Sequence, residues 1–265
     1  MEIIGCFMAI LIGVILGLIG GGGSILAVPT FVYLFKIDAQ IATTYSLFVV
    51  GITALAGVIK NYEANNFNFK IASYFAFPSL ISLLFVRKFL LPAIPNQFCF
   101  LENFIISKSI LILVLFSILM ILSAVSMLFN FGASTSNQKH PSVAKLSAIG
   151  FLVGIVVGFL GAGGGFLIVP ALIFFSNLDF KQAINTSLLI ISVNSLFGFI
   201  NDSRDGVQID FQFLFIFTTL SIVGMFVGLY LLKKIRIKFL KPVFGWLVLA
   251  MGCFILIKEI FFQTT

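Results

Sequence analysis

The chain has 265 residues, 60% of them hydrophobic and 9% charged, with a mean hydropathy of +1.20 and a formal net charge of +7. That balance excludes a water-soluble domain. The basic residues cluster in short loops between apolar spans, as in KKIRIKFLK (Lys233 to Lys241), so the positive charge indicates a membrane face and not a nucleic-acid surface.

In chain order, the first element is an apolar run of 33 residues, Ile3 to Phe35, interrupted by four consecutive glycines, Gly20 to Gly23. A straight membrane span needs about 20 residues, so the run predicts a broken helix or a hairpin. Its start lacks a basic n-region and a small-residue cleavage site, and reads as a retained membrane segment. Asp38 marks a turn. Helices are then predicted from Gln40 to Ile59, Phe69 to Phe89 and Ser109 to Phe129. The absence of period-two alternation excludes a β-barrel. Asn130 to Ser142 is a polar Ser/Asn-rich linker, and His140 within it reads as a solvated side chain.

The second half repeats this order. A shift of 141 residues lays GVILGLIGGGGSILAVPTF, from Gly13, on GIVVGFLGAGGGFLIVPAL, from Gly154, and the match runs without a gap to Asn61 and Asp202, with 15 identities in 49 positions. Asp179 takes the place of Asp38, and further helices are predicted at Gln182 to Ile200, Phe211 to Leu232 and Pro242 to Lys258. The expected organisation is a first membrane repeat at 1–130, a polar linker at 131–145 and a second repeat at 146–265. The fold class is an all-α polytopic membrane protein made of two homologous repeats of four to five helical segments.

Two topologies fit: eight spans with parallel halves, or ten segments with inverted halves. Both divide the 16 Lys and Arg residues 10 to 6, so the positive-inside rule does not choose between them.

The glycine clusters carry the chemistry. Backbone that leaves a helix inside a membrane must be buried in protein or line a wet cavity, and the N–H groups opening the next half-helix attract negative charge. Gly20, Gly22, Gly23 and Ser24, with Gly161, Gly163, Gly164 and Gly165, are therefore expected to form two anion-attracting corners. Pro29 and Pro170 are expected in the first turn of the resuming helices. Hydroxyls and amides early in the following helices, Thr44 and Ser46 against Asn185 and Ser187, with Asn194 deeper, are expected to face the same cavity, where they can bind an oxyanion without a fixed charge. The bland reading of these groups is interhelical hydrogen bonding, and the bland reading of Gly13/Gly17, Gly154/Gly158 and Gly224/Gly228 is close helix packing. No charged residue is expected inside a span, which argues against a relay of buried carboxylates, and NDSRDG (Asn201 to Gly206) reads as a solvated turn in which Arg204 could attract anions. Cys6, Cys99 and Cys253 are too scattered for a metal site or a disulfide framework. Nucleotide, zinc-hydrolase and nucleophile-elbow motifs are absent, so no enzyme is expected.

The paired GLIGGGGSILAVP and GFLGAGGGFLIVP, each followed by Asp and an ATTYSL or INTSLL helix, closely resemble the sulfite exporter TauE/SafE family. The resemblance implies a bacterial-type inner-membrane permease, exporting small sulfur-containing anions such as sulfite or organosulfonates, with no cofactor. Ser24 stands where the second repeat has Gly165, so the two corners need not bind alike. The expected partners are such an anion, the lipid bilayer, a coupling ion (H+ or Na+) and a second copy in a homodimer. The alternatives are a non-transporting assembly or scaffold protein and a carrier of another small organic anion.

Overall fold

The structure is a computed structural model that describes residues 3–62, 67–95, 97–101, 104–129, 142–161, 164–176, 178–204, 209–235 and 237–261. Most of the linker, with His140, lies outside them.

The first half is α1 (Ile3–Ile19), α2 (Gly23–Leu34), α3 (Ala39–Asn61), α4 (Phe69–Ala93) and α5 (Lys108–Leu128). The second is α6 (Val143–Leu160), α7 (Gly165–Ser176), α8 (Phe180–Arg204), α9 (Phe211–Lys234) and α10 (Ile237–Phe261). Among the described residues, seven helices are long and apolar enough to cross a membrane, and α1, α2 and α7 are shorter. A short antiparallel hairpin between α4 and α5, β1 (Gln97–Leu101) and β2 (Phe104–Ser107), departs from the purely helical expectation. The Phe- and Ile-rich sequence of that connection is its local signal.

Helix starts follow from polar side chains. Asp38 accepts the Gln40 N–H at 2.8 Å, Asn68 the Ile71 N–H at 3.1 Å and Asp210 the Phe213 N–H at 3.0 Å, each satisfying a donor that the first turn leaves open.

The glycine breaks fold back instead of crossing. A Cβ on Gly5, at the start of α1, would meet the ring of Phe35, at the end of α2. A continuous helix of that length would hold the two about 45 Å apart. In the second half, Lys145 Nζ stands 5.2 Å from the Phe175 ring centroid, so α6 and α7 also form a hairpin. Gly20 (φ +75°) and Gly161 (φ +62°) make the turns: each lies in the left-handed region, with its N–H bonded to Leu16 O or Val157 O, the way a helix is closed by glycine.

Helix directions then choose between the two topologies. The α3–α8 pair is antiparallel, with Gly51 beside Ser195 and Gly198 beside Leu47, and α5 runs antiparallel to α10, with Gly252 beside Ile121 and Gly245 beside Leu128. By contrast α1 runs parallel to α9, with Gly13 beside Ser221 and Gly17 beside Leu229, as α4 does to α6, with Gly150 beside Phe75 and Gly158 beside Val86. Thus α3 and α5 run opposite to α8 and α10, the elements five places later, as an inverted arrangement requires. The central pair, α3 and α8, is 78% and 72% buried over its apolar span, against 33–44% for the outer helices, whose remaining surface is the lipid-facing one.

Gly13, Gly17, Gly224 and Gly228 do what four-residue glycine spacing does in membranes. A Cβ on Gly13 would overlap the Ser221 carbonyl, and one on Gly224 the Ile10 carbonyl, so the α1 and α9 backbones touch. Gly13→Leu is expected to force α1 away from α9 and to destabilise the protein by at least about 1–3 kcal/mol, read as a lowered unfolding midpoint in detergent.

Candidate functional site

The two glycine breaks meet. The Gly21 and Gly165 backbones are in contact, and a Cβ on either would overlap the other. Around them Ser24 Oγ donates to Gly21 O at 2.7 Å, and Ser187 Oγ to Gly20 O at 3.1 Å and Ile184 O at 2.7 Å. Gly23 presses on Ile12 and Leu16, Gly22 on Phe244 and Ile15, and Gly164 on Val157. Gly163 lies outside the described residues. The breaks are thus close-packed against one another, and Ser187 is the hydroxyl that ties α8 to the first of them.

The prolines do not open the resuming helices as expected. Those helices begin at Gly23 and Gly165, which puts Pro29 and Pro170 inside α2 and α7. Proline has no N–H for the carbonyl four residues back. For Pro170 that carbonyl is Phe166 O, and Ser123 Oγ from α5 donates to it at 3.0 Å, as a neighbouring helix must do in lipid. After Pro29, α2 widens into a π turn, Thr30–Leu34.

The polar groups of α3 and α8 do not share one cavity. Because these helices are antiparallel, Thr44 lies at one end of the pair and Asn185 at the other, about 25 Å apart along the axis. Asn194 donates from Nδ2 to Ser79 Oγ at 2.7 Å and joins α8 to α4, the interhelical role. Ser46 is fully buried, and among the described residues its hydroxyl has no hydrogen-bond partner.

Charge is also present inside the spans, against expectation. Arg87, near the end of α4, is 3% exposed and forms an ion pair with Asp202, near the end of α8, which is 8% exposed. Thr44 Oγ1 donates to Asp202 Oδ2 at 2.7 Å, Arg87 Nη2 to Thr43 Oγ1 at 3.2 Å and Arg87 Nε to Gly158 O at 3.2 Å. The guanidinium lies against Gly161, the second glycine turn. Asp202 therefore does not belong to a solvated turn, whereas Arg204, two residues on, is exposed. Glu259 is a further buried acid, 5% exposed, accepting from Tyr33 Oη at 2.8 Å.

A cavity of about 390 Å³ opens onto this cluster, lined by Gln40, Thr43, Thr44, Arg87, Lys88 and Asp202 together with Leu91 and Pro92. The opposite end of the α3–α8 pair carries the shift-related contact. Asn61 Nδ2 donates to Asn185 Oδ1 at 3.0 Å, and 141 residues separate Thr44 from Asn185 and Asn61 from Asp202. The Asn68 N–H adds a bond to Thr186 Oγ1 at 3.3 Å. One end is thus ionic and open to a cavity, and the other is joined by neutral amides. Sequence reasoning missed Arg87 because VRK closes an apolar run and looks like an interfacial flank. The alignment of Asn61 with Asp202 was the available signal for the pair of contacts.

These features define a multi-pass membrane protein with glycine-turned hairpins meeting inside it and a buried ion pair lining a cavity. Residues 5–258 match the model of the Sulfite exporter TauE/SafE family, and the chain belongs to that family. It is similar to a "Probable membrane transporter protein" of Xylella fastidiosa (strain 9a5c), 30% identical over 93% of this chain and 91% of the relative. It also resembles the "Probable membrane transporter protein YunE" of Bacillus subtilis, 23% identical over 96% and 97%, and a probable membrane transporter protein of Methanocaldococcus jannaschii, 26% identical over 73% and 71%. No solved structure matches. The family is one of membrane transporters, not enzymes, and these relatives are named probable membrane transporters.

Proposed function

We propose that the protein is a secondary transporter of small oxyanions, sulfur-containing ones such as sulfite or organosulfonates first among them. It is built from two homologous inverted repeats, 1–130 and 146–265, joined by the linker at 131–145, and resides in a bacterial inner membrane. The observation that carries the reading is the guanidinium of Arg87, held in a cavity against the Gly161 turn with hydroxyls of Thr43 and Thr44 beside it. A planar guanidinium, with the Thr44 O–H that now donates to Asp202 beside it, matches the oxygens of a sulfonate or sulfite, and a site of few charges lets the anion leave. Inverted repeats suit alternating access, because exchanging the conformations of the two halves opens the opposite face. In that scheme Gly20 to Ser24 and Gly164 to Gly165 are the packed pivot between the halves, and the Asn61–Asn185 contact is the closed end.

The test is transport into proteoliposomes across a panel of sulfite, thiosulfate, methanesulfonate and acetate. The expected result is movement of at least one sulfur oxyanion, faster than acetate and faster than in protein-free liposomes. Movement of none of them under any imposed gradient would sink the proposal.

A further inference from the structure

Within that transport reading, we infer that Asp202 is a resident counter-anion that must take up a proton before a substrate anion can occupy Arg87, so that one proton travels with each monovalent anion. Asp202 and an anion entering the cavity would compete for one guanidinium: the Arg87–Asp202 pair is buried, and both residues line the cavity. Burial fixes the charge count. With the pair intact the buried cluster is neutral, and adding a monovalent anion would leave one uncompensated negative charge away from water, which is strongly unfavourable. Protonating Asp202 removes that charge. A proton from the cavity solution forms an O–H bond on the carboxylate, the ion pair with Arg87 is lost, and the freed guanidinium N–H groups donate to the anion. On release at the other face the anion departs, Asp202 gives its proton to that side, and the ion pair reforms. The occupied and empty clusters are both neutral.

The charged groups facing the cavity are Arg87 and Lys88 from α4 and Asp202 from α8, with Thr43 and Thr44 the hydroxyls contributed by α3. A sodium ion at Asp202 would need several oxygen ligands and would sit beside the guanidinium. Among the described side chains hydrogen-bonded to Asp202, the added oxygen is Thr44 Oγ1, so the proton suits the site better. The shift-related contact, Asn61 with Asn185, carries no titratable group, which confines the coupling to the Asp202 end.

The experiment uses the full chain in proteoliposomes loaded with a luminal pH dye, with methanesulfonate outside as the probe, because its free acid is too strong to carry protons through lipid unaided. Sulfite and thiosulfate serve as parallel probes. An inward acid gradient is expected to drive accumulation above the external concentration, with luminal acidification matching the anion taken up. Asp202→Asn is expected to lose pH-driven accumulation at least tenfold, and any exchange it keeps is expected to be independent of the pH gradient. The equivalent Asn61 faces the neutral amide of Asn185, whereas Asp202→Asn leaves Arg87 unpaired, so its unfolding midpoint in detergent is measured alongside transport. Anion uptake by the native protein without luminal acidification, or driven equally by a sodium gradient, overturns the coupling while leaving transport intact. No uptake of any probe overturns the transport reading, and the coupling with it.

Discussion

Arg87→Gln is expected to abolish anion transport and to lower stability by about 3–5 kcal/mol, because it leaves the Asp202 carboxylate buried opposite a neutral amide. Structural and functional roles of Arg87 separate in the double variant Arg87→Met/Asp202→Leu. Removing both charges relieves the uncompensated ion, so the unfolding midpoint in detergent should return close to that of the native protein, as buried ion pairs replaced by apolar residues commonly allow. Transport should stay absent, since no guanidinium remains for the anion. Transport by the double variant at the native rate would show that Arg87 is a structural cation and that the anion binds elsewhere. The pairing also predicts strong non-additivity: each single change should cost more than the two together.

Gly21→Ala is expected to be among the most damaging single substitutions in the glycine cluster, with both folding and transport impaired. Its Cβ would fall within the Gly165 backbone, and two backbones in contact have no side chain that can rotate away. Overpacking of this kind costs about 1–3 kcal/mol or more. Gly22→Ala makes the contrast, because its Cβ meets the Phe244 ring and the Ile15 side chain, which can shift. The unfolding midpoint should therefore fall further for Gly21→Ala and Gly165→Ala than for Gly22→Ala. Equal effects at the three positions would mean that the meeting of the two breaks is not what the glycines are for.

Much of the fold is legible in the chain because apolar length and glycine position are local properties. A run of 33 residues from Ile3 to Phe35 cannot be one straight span, and Gly20 and Gly161, found 141 residues apart, both adopt the left-handed backbone that closes a helix. The four-residue spacing of Gly224 and Gly228 likewise announced a close helix contact, though not that α1 would supply the other surface. Helix bounds moved by only a few residues, since Asp38, Asn68 and Asp210 mark their own starts.

What the sequence determined by itself is therefore the medium, most of the helical elements, the glycine-broken helices and the family. Direction and proximity were decided by tertiary structure alone. Charge counts were equal for parallel and inverted halves, and only the antiparallel packing of α3 on α8 separates Thr44 from Asn185 while bringing Thr44 to Asp202. Asp202 read as part of a solvated turn, and Arg87, 115 residues earlier, was not singled out until helix packing buried the two together. The physical reason is that hydropathy and helix propensity act within a few turns of chain, whereas the cost of a buried charge is set by whichever distant residue the fold places beside it.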